Sequence, residues 1–190
     1  GDAAGLLLLF RYLPVVKAFK RAIDRGVNVK IIIDAKINGT PDANGNDTSF
    51  PRVENFAACT LAGISVDPAD GNIILREAKK NDIQHNKFIV LLDKNGKEKE
   101  VWTGSTNISL GGIHGQTNVG HWVRNAETAK KYAAYWEIIS HDPGARDGDD
   151  RTTARHKNDA LKKDVEQLQP NIEFQDWSDI PMGITPVFSP

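Results

Sequence analysis

A single cysteine, a single methionine and the want of any long apolar run mark this 190-residue chain. Cys59 alone excludes an intrachain disulfide framework and any cysteine-based zinc site, and it reads as a small buried hydrophobe. The apolar opening Leu6 to Phe10 is far shorter than the ~20 residues that cross a bilayer, so it is not a membrane span, and with no basic stretch before it these residues show no recognisable signal peptide, which leaves the compartment open. An excess of one charge is also lacking: 24 Lys and Arg stand against 25 Asp and Glu, for a net charge of −1. That balance excludes the overall basic field with which a polycationic domain grips nucleic acid regardless of sequence, while leaving room for a local basic groove. No internal repeat occurs. What is there, 39% hydrophobic residues in 190, is enough for one soluble domain with a substantial core.

The order of elements favours an α/β fold. Leu6 to Phe10 reads as a buried strand. Pro14 stands at a first helical position, and Val15, Val16, Ala18, Phe19, Ala22 and Ile23 form the inward stripe of a helix closed by Gly26. Val27 to Asp34 turns continuously apolar, which completes a β-α-β unit with a parallel sheet. Pro51 opens a second helix through Phe56, Ala57 and Leu61, with Gly63 as its stop; Ile64 to Val66 and Ile73 to Leu75 read as short strands. Gly111 to Gly115 is a loop, Asn118 to Val123 another strand, and Ala126 to Ile139 a helix with Ala129, Tyr132, Ala133 and Trp136 on one face. The polar loop from Gly39 to Ser49 carries Asp42, Asn44 and Asn46, but the sixth and twelfth positions of a calcium loop hold Asp47 and Val53, so it reads as a surface loop.

The chemistry concentrates between residues 85 and 107. His85 and Lys87 stand two apart at the start of the apolar run Phe88-Ile89-Val90-Leu91-Leu92, so on a strand their side chains leave one face and one phosphate can touch both. Asn95-Gly96 is the strongest hairpin signal in the chain. A two-residue loop there sets Lys94 against Lys97, and counting down the ladder brings Thr106 opposite His85 and Asn107 opposite Gln84. A nucleophile, a cation and an amide donor are thereby gathered, a set suited to phosphodiester chemistry. Lys97 to Glu100 suits the exposed end of such a hairpin.

His85-x-Lys87 followed by Gly104-Ser105-Thr106-Asn107 resembles the signature of the phospholipase D superfamily, and the order of elements over roughly residues 6 to 140 is similar to the family's. The family's acidic residue would fall at Leu92; the Asp here is Asp93, about 26 Å of extended strand from His85 and out of its reach, so Asp93 reads as the turn residue that opens the hairpin. The resemblance implies a phospholipase D-like mixed sheet flanked by helices, with a β-α-β start and a catalytic hairpin. It implies His85, Lys87 and Asn107 as catalytic residues and Lys87, Ser105 and Asn107 as phosphate ligands, with no metal and no cofactor. One histidine attacks phosphorus to give a phosphohistidine and another protonates the leaving oxygen, then activates water or alcohol. Ser105 either supports the site or only shapes its turn. Asp34, Gln116, Asn118 and His121 are candidates for the rim, His114 falls in a loop, and His141 and His156 belong to charged exposed segments.

Such sites combine two His-x-Lys motifs, and this chain has one. The implied partners are a phosphodiester substrate and a second His-x-Lys half, from a homodimer mate or from another part of the same polypeptide. Phospholipid is favoured over nucleic acid because no basic stripe is visible. The alternative is a noncatalytic phosphate-binding or dimerisation half-domain. Residues 1–140 are expected to form the catalytic half. Residues 141–190 read as a charged linker, a short helix capped by Asn158 that sets Leu161, Val165 and Leu168 on one side and ends at Pro170, and an extended tail toward a possible second half.

Overall fold

A computed structural model describes residues 2–7, 9–78, 84–168, 178 and 182–188. Six strands form one mixed sheet in the order β3-β2-β1-β4-β5-β6, where β1 is Ala3–Leu7, β2 Val29–Asp34, β3 Ile73–Arg76, β4 Lys87–Leu92, β5 Glu98–Gly104 and β6 Gly120–Val123. β1, β2 and β3 run parallel, and β4, β5 and β6 continue the sheet antiparallel from β1. Helices α1 (Leu13–Asp24) and α2 (Arg52–Ala62) share a core with Ile31 and Ile33 of β2 on one face. On the other, α3 (Ala126–Ser140) and α4 (Arg151–Glu166) enclose Ile32, Phe88, Val90 and Val101. This is the α/β fold that the sequence predicts, and strand alternation explains its two cores: odd residues of β2 feed one, Ile32 the other.

The first strand lies three residues earlier than its hydrophobicity suggests. Ala3 pairs with Val29 on one side and with Leu91 on the other, so two ladders, rather than apolar side chains, define a central strand there. Small residues suit it, because the Trp136 indole of α3 reaches across to donate to the Gly5 carbonyl at 3.0 Å. Ile64 to Val66 forms no strand. Gly63, at φ 77°, turns the chain so that the Ile64 amide closes onto Cys59 O, and the buried Ile64 side chain plugs the core from a loop.

The hairpin is reached by a different route from the one expected. The Asp93 amide donates to Lys97 O and the Gly96 amide to Asp93 O, which makes a loop of Lys94, Asn95 and Gly96, with Gly96 at φ 74°. Lys94 therefore does not face Lys97. A bulge then follows: Leu92 pairs with Glu98 but Leu91 with Glu100, leaving Lys99 as the extra residue. The two departures cancel, and Phe88 opposite Thr103 is the register a two-residue loop would have given. Asp93 opens the turn, its carboxylate accepting the Asn95 and Lys97 amides, and those bonds hold its pKa down. Asp93→Ala is expected to lower Tm by about 2–4 °C at neutral pH. A carboxylate with a depressed folded pKa stabilises above its unfolded pKa and ceases to as pH falls through the folded one, so the difference from the parent should close in acid. Equal melting at neutral pH would show the turn to be held without it.

After α3, Asp150 caps α4 by accepting the Thr152 and Thr153 amides, so this helix starts seven residues before Asn158. Asn158 instead accepts the Ala145 amide. The expected stop at Pro170 lies outside the described residues. Leu161, Val165 and Phe188 are buried in the same cluster as Phe88 and Tyr135, with the Phe188 ring stacked on that of Tyr135 at 4.8 Å.

Candidate active site at the sheet edge

The topology brings six strand ends to one edge. Leu7 of β1 pairs with Lys87 of β4, Asp34 of β2 with Arg76 of β3, and Gly104 of β5 with Gly120 of β6. In a sheet with parallel strands the carboxyl ends are where the backbone opens onto solvent and sites gather.

Lys87 is the first residue of β4, and alternation puts its side chain on the face of Ile89, beneath which lie α1 and α2. Only 3% of Lys87 is exposed, and burial pushes its pKa down to about 8. Its ammonium donates to the His85 carbonyl at 2.6 Å, and no described carboxylate pairs with it. The Lys87 carbonyl in turn accepts the Thr103 hydroxyl. His85 precedes the strand and is exposed, and the Lys87 charge, with a smaller contribution from burial, holds its pKa below the ordinary histidine value.

Past Gly104 the chain leaves β4. The ladder expected to continue to Thr106 and Asn107 stops, because the Ser105 amide donates to Val119 O and ties the chain to the approach of β6. Gly104 is required there, since a Cβ would stand 2.0 Å from the Val119 carbonyl oxygen. Ile108 then pairs in parallel with Phe10, and its carbonyl accepts the Arg11 and Tyr12 amides. Since β4 lies between β1 and β5, residues 105–108 must cross beyond the amino end of β4 to reach Phe10. Phe10 and Ile108 belong to the α1/α2 core, so the crossing is on the side from which Lys87 projects.

Asn107 sits in this crossing, and its buried carboxamide oxygen has no hydrogen-bond partner among the described residues. Gly112 lets the next turn press on it: a Cβ at 112 would be 2.3 Å from Asn107 O. Ser105 is committed elsewhere, its hydroxyl accepting the Val119 amide and donating to Asn118 Oδ1 at 3.1 Å. Asn118 also donates to Gly112 O. His85 and Lys87 thus stand at the amino end of β4, and Asn107 lies in the connection between Gly104 and Ile108.

The remaining candidates separate from this group. Asp34 is buried beside Lys36 at 3.1 Å, burial raising its pKa against the pull of that lysine. Gln116 and His121 are exposed, as are His141 and His156. The His114 ring bonds Tyr12 Oη at 2.9 Å. Cys59 is fully buried, with its thiol pushed up to about 12 by desolvation. No cluster of three His, Cys, Asp or Glu suited to a metal occurs among the described residues. Sequence reading missed Asn55, whose side chain accepts the Phe10 amide at 2.8 Å and donates to Asp34 O at 3.0 Å, fixing the crossing to the end of β2. A polar residue in the midst of the inward stripe of α2 was the available signal.

A family model described as cardiolipin synthase, PLD-like domain, matches residues 8–139. No curated protein sequence matches the chain. Among solved structures, the phospholipase D family member Nuc from Salmonella typhimurium is similar at 24% identity and a TM-score of 0.50, over 72% of this chain and 75% of that one. NucT from Helicobacter pylori is 17% identical, with a TM-score of 0.48, over 74% of this chain and 79% of its own. The family match begins just after β1 and runs nearly to the end of α3, taking in the segments that carry His85, Lys87 and Asn107, and the chain belongs to the PLD-like superfamily of hydrolases and transferases.

Proposed function

We propose that the protein is a phosphodiesterase or phosphatidyltransferase that works through a phosphohistidine on His85. The observation that carries this reading is Lys87: a lysine 3% exposed, whose ammonium has no described carboxylate against it, is a buried charge that an anion would neutralise. His85 stands beside it as the nucleophile, its pKa lowered by that same charge. The imidazole attacks phosphorus, the P–O bond to the leaving alkoxide breaks, and a second imidazole gives that oxygen its proton. Water or an alcohol, deprotonated by the second imidazole, then displaces His85.

Lys87 and the Asn107 amide take up the charge on the nonbridging oxygens, and Ser105, engaged with Asn118 and Val119, shapes the crossing that carries Asn107. The second imidazole comes from a second His-x-Lys half, His85 of a second copy or a motif in another part of the same polypeptide, since these 190 residues hold one such motif. A near-neutral net charge and a family model whose description names cardiolipin synthase favour a phospholipid over nucleic acid.

The test of Lys87 is binding of a nonhydrolysable phosphodiester that stays monoanionic throughout. A lysine with a pKa of about 8 is charged below that pH and neutral above it, so affinity should fall by about tenfold at one pH unit past it, as the competent fraction shrinks. Lys87→Arg, charged throughout, should remove this dependence. An affinity indifferent to pH across that range would take the phosphate away from Lys87. Binding that behaves as expected without any turnover would instead favour a noncatalytic phosphate-binding half-domain.

A further inference from the structure

The segment that carries His85 lies outside the sheet ladder. β4 begins at Lys87, so residues 84–86 have no strand partners, yet a nucleophile must be held to within about 1 Å, a displacement that can cost on the order of 10²-fold in rate. From above, Lys87 Nζ holds the His85 carbonyl. From below, the residue between them is tied down: Asn86 Nδ2 donates to Tyr135 Oη at 2.7 Å. The direction follows the sheet, since Phe88 and Val90 pack toward α3 and the Asn86 side chain, two residues before Phe88, meets Tyr135 on that same face.

Tyr135 is built to be immovable. It is 1% exposed, its ring stacked on Phe188 and tilted against Phe88 at 5.9 Å. The next residue, Trp136, locks α3 to β1 through Gly5. Burial pushes the Tyr135 hydroxyl up to about 12, so it stays neutral and the tie to Asn86 is the same at every working pH.

We propose that Tyr135 is a positioning residue for the His-x-Lys segment: through Asn86 it fixes the His85 imidazole beside Lys87, and the Phe188 ring braces it from the far side. The proposal rests on the phosphohistidine reading of the same site and adds to it a second face of the sheet on which catalysis depends.

The decisive experiment pairs a double-mutant cycle with a histidine titration. Tyr135→Phe keeps the ring and its stacking and removes only the oxygen; Asn86→Ala removes the other partner. Each is expected to lower kcat by about tenfold to a hundredfold with KM little changed, and the double variant to be no worse than either single one. In parallel, the His85 imidazole is titrated by NMR in the parent and in Tyr135→Phe, its signal identified by its loss in His85→Ala. Lys87 is the charged group acting on His85, and a segment released from Tyr135 drifts from it, so the His85 pKa should rise toward the ordinary value.

A coupled cycle together with a moved titration supports the assignment. An additive cycle, or a His85 titration that stays where the parent has it, overturns it. The titration needs no turnover, so it reads the tie even if the protein proves inactive. Turnover that survives His85→Ala would end the phosphohistidine reading separately.

Discussion

Turnover of a chromogenic phosphodiester is expected to fall by about 10³-fold or more in His85→Ala, while the parent retains its full rate with EDTA present. The size follows from what His85 does in the proposed cycle. As nucleophile it makes the protein's one covalent bond to phosphorus, and where a second copy completes the site the partner's His85 supplies the proton, so one substitution then removes both groups. The other histidines have other placements: the His114 ring bonds Tyr12, His121 lies on β6 opposite Thr103, and His141 and His156 are exposed at the end of α3 and in α4. His85 is itself exposed, so the variant should melt as the parent does, and a loss of rate would not be a loss of fold. A variant within tenfold of the parent would move the chemistry off His85. A parent that EDTA silences would require a metal in the cycle.

How the chain announces this site is uneven. The α/β order was legible because Gly26 and Gly63 punctuate amphipathic helices and the strand from Val29 centres on the apolar run Ile31 to Ile33, which are local signals. β1 was misplaced because ladder partners in β2 and β4, remote in sequence, define it. The reach of α4 was underestimated because its polar first half holds through the Asp150 cap and only Leu161 and Val165 enter the core.

The functional motif shows the same division. His85 and Lys87 could be put on one face by counting. Asn107 could be brought near them only by assuming a ladder, whereas the structure carries it in a connection from Gly104 to Ile108 that Phe10 and Asn55 hold in place. The register survived because the bulge at Lys99 offsets the three-residue loop, which no local pattern announces. Tyr135 escaped notice for a further reason. The inward stripe was drawn through Tyr132 and Trp136, and Tyr135, between them, reads as one more core aromatic until its hydroxyl is seen to hold Asn86.

Diluting parent subunits with a tenfold excess of folded His85→Ala subunits, under conditions where subunits exchange, is expected to cut activity per parent subunit by about tenfold. One His-x-Lys per chain makes the argument. If a working site needs two His85 side chains, a parent subunit is active only when it pairs with another parent, and random pairing makes that about one case in eleven. A parent paired with the variant keeps a nucleophile or an acid but not both, so activity should follow the square of the parent fraction. A chain that completes its site alone would hold constant activity per parent subunit at every ratio. A second motif supplied by another part of a longer polypeptide would leave this chain inactive in all mixtures, with binding by Lys87 intact. The three dependences, squared, linear and null, differ at every mixing ratio, and only the first keeps the site at a junction between two copies of the edge that carries His85, Lys87 and Asn107.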